Sequence, residues 1–190
     1  MENEITVIFV SFHSGHIIER SIVTIDKNIK IIIVENSLNY NFKSEIEGKY
    51  QNIKVIIPER NMGNGAGINI GLKNTKTKYA FYLDVDTELF PDTIKNLYNA
   101  AKELEVFSIL APKINNFDYK NDCYLKNNDI KRYSNMRFVT GCALFFKLEI
   151  FEEVGFFDEK IFLYYEENDF YERCLKKNKP IFLIDNSKIN

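Results

Sequence analysis

Apolar residues fall in short runs along the chain: Ile5 to Val10, Lys30 to Val34, Ile53 to Ile57, Tyr79 to Leu83 and Ser108 to Ala111. Each run has the length of a strand and is continuous rather than alternating, which predicts strands covered by helices on both faces. The stretches between them have helical periodicity. The clearest places Ile94, Leu97, Tyr98, Ala101 and Leu104 on one apolar face, with Pro91 near its start. Strand and helix alternate through about residue 112, the signature of parallel βαβ units.

The pattern then changes. Residues 115 to 135 are rich in Asn, Asp, Lys and Tyr and predict a long loop. Beyond it come an apolar stretch from Phe138 to Phe146, a short helix near Leu148 to Val154, a helix starting at Glu166 or Glu167, and a last strand from Pro180 to Ile184. No internal repeat interrupts this order.

Composition narrows the class. The 190 residues are 45% apolar, with 16 Phe and 11 Tyr, enough for one α/β domain with a substantial core. A net charge of −2 argues against a protein held to nucleic acid by bulk charge. Cys123, Cys142 and Cys174 have no CxxC spacing and read as reduced, buried thiols. No apolar run approaches a membrane span, and Met1-Glu2-Asn3-Glu4 is no signal peptide, so the expected location is cytoplasmic.

Candidate chemistry collects at the strand ends, where open parallel sheets bind ligands. The first strand runs into Ser11-Phe12-His13-Ser14-Gly15 and the second into Glu35-Asn36-Ser37. The third leads to Asn61-Met62-Gly63-Asn64-Gly65-Ala66-Gly67-Ile68-Asn69-Ile70-Gly71. The fourth ends in Asp84-Val85-Asp86, two hard carboxylates of the kind that hold Mg²⁺ or Mn²⁺ together with substrate phosphates. Such a crevice suits a nucleotide: acids and amides for base and ribose, glycines for close backbone approach, a cation for phosphate. The glycines alone fit a tightly packed strand-to-helix connection equally well. Acids at the start of the late helix are likewise favoured by its dipole, and Asp169 with Arg173 reads as an i, i+4 pair. Helical spacing points Glu166 and Glu167 in different directions, so only one is expected to reach a shared centre. His13 and His16 have no further His to support a zinc site. The aromatics Phe156, Phe157, Phe162, Tyr164 and Tyr165 read mostly as core.

Taken in order, these segments resemble those of family 2 glycosyltransferases with the GT-A fold, above all rhamnosyltransferase-like and galactofuranosyltransferase-like bacterial members. The resemblance rests on Val10-Ser11-Phe12, Val34-Glu35-Asn36-Ser37, the asparagine-glycine segment from Asn61 to Gly71, Leu83-Asp84-Val85-Asp86, Val139-Thr140-Gly141-Cys142-Ala143, Gly155 to Glu159, and Phe162 to Asp169. It implies a Rossmann-like, mostly parallel central sheet flanked by helices, with an acceptor-side portion at the C-terminal end. Residues 1–112 would form the nucleotide-sugar half and 113–190 the acceptor and catalytic-base half of one domain.

The same resemblance implies that Ser11, Phe12, Glu35, Asn36, Asn61, Gly63, Gly67, Asn69, Asp84 and Val85 contact the nucleotide sugar. Asp84 and Asp86 would hold Mn²⁺ or Mg²⁺. Glu167 would be the general base, with Glu166 and Asp169 beside it. The implied partners are a UDP- or dTDP-linked sugar donor and a saccharide or lipid-linked saccharide acceptor, with peripheral membrane contact through the latter. The implied reaction is inverting transfer in polysaccharide or glycolipid synthesis. Glu167 and Glu35 stand where the family usually has Asp, and the family's His after the last strand is absent from Asp185–Asn190, so that either the chain stops short of it or the protein does without one. Two other readings stay open: a sugar-nucleotide nucleotidyltransferase, and a catalytically weak nucleotide-sugar-binding module.

Overall fold

The computed structural model describes residues 1–119, 123, 125 and 133–190. The strands are β1 (Ile5–Ser11), β2 (Lys30–Glu35), β3 (Ile53–Ile56), β4 (Tyr79–Leu83), β5 (Ile109–Ile114), β6 (Tyr133–Met136), β7 (Ala143–Lys147) and β8 (Ile181–Ile189). The helices are α1 (Ile18–Ile22), α2 (Tyr40–Lys49), α3 (Asn64–Asn74), α4 (Thr93–Glu103), α5 (Ile150–Val154) and α6 (Glu166–Lys176). All eight strands form one sheet in the order β3-β2-β1-β4-β7-β5-β8-β6.

β3, β2, β1 and β4 run parallel, β7 reverses between β4 and β5, β8 is again parallel to β5, and β6 reverses at the edge. Two strands of the C-terminal portion, β7 and β8, therefore flank β5 of the N-terminal portion. The fold is a mixed α/β domain with a mostly parallel sheet, as expected.

The continuous apolar strands supply two cores at once, because successive side chains point to opposite faces. Val7, Phe9, Ile31, Ile33, Phe81 and Phe145 belong to one core, with Ile94 and Leu97 of α4. Ile8, Ala80, Tyr82, Leu144 and Phe146 belong to the other, with Ile68 of α3 and Phe170 of α6. Glycines let α3 lie directly on β1: a Cβ at Gly67 would sit 2.7 Å from Val10 Cγ1, and one at Gly71 would overlap Ile8 Cγ2.

Three expectations change. The predicted loop over 115 to 135 reaches into β6, since Tyr133–Asn135 pair antiparallel with β8. The pairing is tertiary, and the mostly polar run Tyr133-Ser134-Asn135 has no strand pattern of its own. Residues 120–122, 124 and 126–132 of that loop lie outside the described residues. The stretch from Phe138 becomes strand only at Ala143. The last strand does not stop at Ile184 but continues to Ile189 across a register shift opposite Pro112 and Lys113. Ser187 is buried within this extension, where its hydroxyl donates to the carbonyl of Thr93 at 3.0 Å.

Candidate active site

The carboxyl ends of β1, β2 and β4 lie side by side on one sheet edge, with the β3–α3 connection beside them. Asp84, Val85 and Asp86 leave the end of β4. The Asp84 amide is fixed by the carbonyl of Cys142 at 2.8 Å, just before β7. The start of α6 supplies Glu166 and Glu167. All five residues line a single cavity of about 430 Å³, together with Val10, Asn64, Tyr82 and residues 140–142. Both glutamates reach it, against the expectation from spacing. Successive residues of a helix are about 100° apart around the axis, close enough for both to border a cavity at the helix start.

Among the described residues the lining contains four carboxylates and no Lys, Arg or His. Asp84 accepts a hydrogen bond from the Tyr82 hydroxyl at 2.6 Å, yet its carboxyl is pushed up to about 6. Burial is the main cause, and the charges of Asp86, Glu166 and Glu167 add to it. Burial also raises Glu167, with Glu166 adding to the effect against a backbone hydrogen bond.

Such uncompensated negative charge fits a divalent cation held by the hard oxygens of Asp84 and Asp86. Among the described residues no group of three or more His, Cys, Asp and Glu side chains could hold a metal. Two aspartates fit an ion whose other positions go to water and substrate phosphate.

The charge has a consequence for stability. A carboxyl raised from 3.8 to about 6 ionises less readily folded than unfolded. The folded state is thus favoured at low pH, and that advantage fades as pH rises through this window. In the metal-free protein at pH 7.5, Asp84→Asn is expected to raise stability by about 1–3 kcal/mol. Urea unfolding of the two proteins at pH 5 and 7.5 checks this: the difference should grow with pH.

A second hollow of about 290 Å³ adjoins the first, sharing Val10, Asn64 and Leu163 and lined also by Phe12, Ser14, Asn36, Asn61, Gly63 and Phe162. Phe12 is exposed, with its ring edge-on to His13. Asn61 Oδ1 accepts the Gly63 amide at 3.0 Å. Asn36 is buried and ties β2 to the glycine segment, donating to the Gly63 carbonyl at 2.9 Å. Gly63 has φ of +81°, and its carbonyl caps the first turn of α3 through the Gly67 amide.

Other expected contacts face elsewhere. The Ser11 hydroxyl is buried without a hydrogen-bond partner and lines neither hollow. Glu35 is buried and accepts the amide of Ser37 at 2.9 Å and the Ser37 hydroxyl. Gly67 packs on Val10, as the tight-connection reading has it. Asn69, also buried, grips the Phe157 backbone through both amide ends, at 2.9 and 3.1 Å, and reaches Glu159 at 3.0 Å. Asp169 pairs with Arg173 at 2.8 Å, while the Arg173 guanidinium also donates to the carbonyls of Val154 and Phe156. Among the aromatics expected mostly in the core, only Phe157 is buried, whereas Phe156, Phe162, Tyr164 and Tyr165 are exposed and Tyr164 lines the cavity. Cys142 is only partly buried and also lines it, unlike Cys123 and Cys174.

Asn64 and Tyr82 were not singled out from sequence. Asn64 sits in a run of glycines with no motif of its own, and Tyr82 looks like one more apolar strand residue. In the structure Asn64 donates to Glu166 Oε1 at 2.7 Å, and the Tyr82 hydroxyl lies 3.2 Å from Asn64 Oδ1.

The family model described as Glycosyl transferase family 2 matches residues 6–155. The chain is 24% identical to the dTDP-rhamnosyl transferase RfbF of Shigella flexneri, over 86% of this chain and 60% of that protein. It is 21% identical to the low-salt glycan biosynthesis hexosyltransferase Agl10 of Haloferax volcanii, over 94% of this chain and 64% of the relative. The chain thus spans less than two thirds of the length of these relatives. Its fold matches GalNAc-T7, crystallised with UDP, GalNAc and Mn²⁺, with a TM-score of 0.84 at 14% identity, over 97% of this chain and 43% of that one. It matches Staphylococcus aureus TarS 1-349 in complex with UDP-GlcNAc with a TM-score of 0.75 at 16% identity, over 98% of this chain and 57% of that one. The architecture is that of GT-A glycosyltransferases.

Proposed function

The chain belongs to glycosyl transferase family 2, and on that premise we propose that it transfers a hexose from a nucleotide-diphosphate donor to an acceptor hydroxyl, with inversion and with a divalent cation. One observation carries the reading: Asp84 and Asp86 at the end of β4 line one cavity together with Glu166 and Glu167 at the start of α6. Asp84 and Asp86 would hold Mn²⁺ or Mg²⁺, which when bound offsets charge on the diphosphate leaving group. The adjoining hollow between Phe12, Asn36, Asn61 and Gly63 takes the nucleoside, next to the diphosphate end of the cavity.

Inversion asks for a base on the acceptor side of the sugar, opposite the leaving group. Glu167 fits. It is half-buried in the same cavity as Asp84 and Asp86, and burial raises its carboxyl above the ordinary glutamate value. It would accept the acceptor's hydroxyl proton as the oxygen attacks the anomeric carbon. Tyr164, exposed and lining the cavity, would offer its ring to an acceptor saccharide.

The dTDP-rhamnosyl and glycan-building relatives favour a UDP- or dTDP-linked donor and a role in polysaccharide or glycolipid assembly. Among the described residues no helix is long and apolar enough to cross a membrane. A lipid-linked acceptor would bring the protein to a membrane surface, and a cytoplasmic location fits that arrangement.

A thermal-shift screen of UDP- and dTDP-sugars with and without Mn²⁺ tests the proposal. A matching donor at a hundredfold excess over its Kd should stabilise the protein by about 2.7 kcal/mol, a shift of several degrees. The shift should need the cation. Uniform failure of these donors, or turnover of a nucleoside triphosphate with a sugar phosphate, would replace this reading with the nucleotidyltransferase one.

A further inference from the structure

A hollow of about 510 Å³ opens at the amino ends of β1, β2 and β3, the end of the sheet away from the paired aspartates. It shares no residue with the two hollows at the transfer site. Thr6 on its wall stands five positions before Ser11, about 17 Å along β1 from the carboxyl edge. Lys30, Lys54 and Lys76 line it, and among the described residues no Asp or Glu does. The charge at this end is thus the reverse of that around Asp84.

Strand register gathers two of these cations. Thr6 pairs with Lys30 across β1 and β2, and Ile32 pairs with Lys54 across β2 and β3. Lys30 and Ile32 are two apart, so all four side chains leave the same face of the sheet. Asn74 at the end of α3 and Lys76 just after it complete the wall. Among the described residues none of the three lysines forms an ion pair. Two neighbouring acids are engaged elsewhere: Asp26 by Asn28, and Glu47 by Lys43 and the Val55 amide. Ordinary reasons account for each lysine singly. Lys54 guards an edge strand, Lys76 follows a helix C-terminus, and Lys30 opens a strand in solvent. They do not account for three like charges around one hollow with no acid among them, because such charges repel.

We propose that this hollow binds a phosphorylated saccharide, with Lys30, Lys54 and Lys76 on the phosphate. Ammonium groups take phosphate oxygens as point charges. The rest of the lining suits a sugar: Asn52 and Asn74, fixed by bonds to the carbonyls of Ile29 and Ile70, offer amides to hydroxyls, and Ile32 and Ile53 offer apolar surface to the ring. The volume is that of a small-molecule site and exceeds what an inorganic ion fills. A net charge of −2 leaves no wider basic field for nucleic acid. The phosphate comes either on a free sugar phosphate or on the glycan being extended, which would be anchored here away from its reacting end. The site itself does not rest on the donor reading, since it shares no residue with the transfer site.

NMR titration of the protein in EDTA tests this, with glucose 1-phosphate, phosphorylated dextran, glucose, inorganic phosphate and a short RNA as probes. Without a divalent cation the acids of the transfer site repel phosphate, so binding reports on the remote hollow. The expected result is that the amides of residues 30–32, 52–54 and 74–77 shift with glucose 1-phosphate or phosphorylated dextran, and not with glucose. Lys30→Gln and Lys54→Gln should each weaken that binding about three- to tenfold, and the two combined with Lys76→Gln should abolish it. All three side chains are exposed, so the substitutions leave the fold intact. A response to glucose 1-phosphate assigns a free sugar phosphate, and a response to the polymer alone assigns the glycan. Binding unchanged in the triple variant, tighter binding of inorganic phosphate or RNA than of either sugar probe, or no shift with any probe overturns the proposal.

Discussion

Glu167→Gln is expected to lower sugar transfer by about 10²- to 10⁴-fold while nucleotide-sugar affinity stays within a few-fold of wild type. The substitution keeps shape and removes only the ability to take a proton. Steady-state kinetics should therefore show the loss in kcat with KM nearly unchanged. The pH profile supplies a second test. Burial and Glu166 raise the Glu167 carboxyl above its ordinary 4.5. Activity should then fall as pH drops through that raised value, giving an acid limb above the range of an exposed glutamate. Equal loss of kcat in Glu166→Gln with full activity in Glu167→Gln would exchange the two roles.

Gly63→Ala is expected to lower stability by at least about 3 kcal/mol, or to prevent folding. Two independent obstacles meet there. The backbone has φ of +81° with ψ near 180°, which an L side chain rarely adopts. A Cβ would also lie 2.9 Å from the carbonyl carbon of Phe162 and closer still to its oxygen. That carbonyl is already fixed, since it accepts the Asn64 amide at 2.9 Å. Backbone cannot give way as a flexible side chain would, so the segment before α6 must move. Denaturant unfolding measures the effect. Gly48, whose Cβ would meet nothing within 4 Å, serves as the control, and Gly48→Ala should be neutral or stabilising.

Much of this was legible in sequence for identifiable reasons. β1, β2 and β4 are buried on both faces, so their apolar runs are unbroken and their polar ends stand out. Asp84, Asp86, Glu166 and Glu167 come together because two of them end a parallel strand and two begin a helix that packs over the same edge. What escaped notice depends on side-chain direction or on distant partners. Glu35, Asn69 and Asp169 have the right chemistry for a ligand, but each is engaged by protein, Glu35 by Ser37 two residues on and Asp169 by Arg173 of its own helix. Asn69 secures the Phe157–Glu159 segment, and Asp169 steadies Arg173, which holds the end of α5. Asn64 acts only through Glu166, 102 positions away. β6 exists because β8 offers it an edge, and local pattern carries no trace of that.

The reversal of β7 between β4 and β5 bears on how the molecule can be assembled. Cleaving the polypeptide between residues 114 and 133 would strand β5 with the N-terminal fragment and its two lateral neighbours with the other. The first fragment would keep a four-stranded parallel ribbon but lose the lane that joins it to β5. The second would keep β6 beside β8 but leave β7 without either of its neighbours. Co-expressed, the pieces should recombine by threading β7 into its slot. Expressed singly, each should be insoluble.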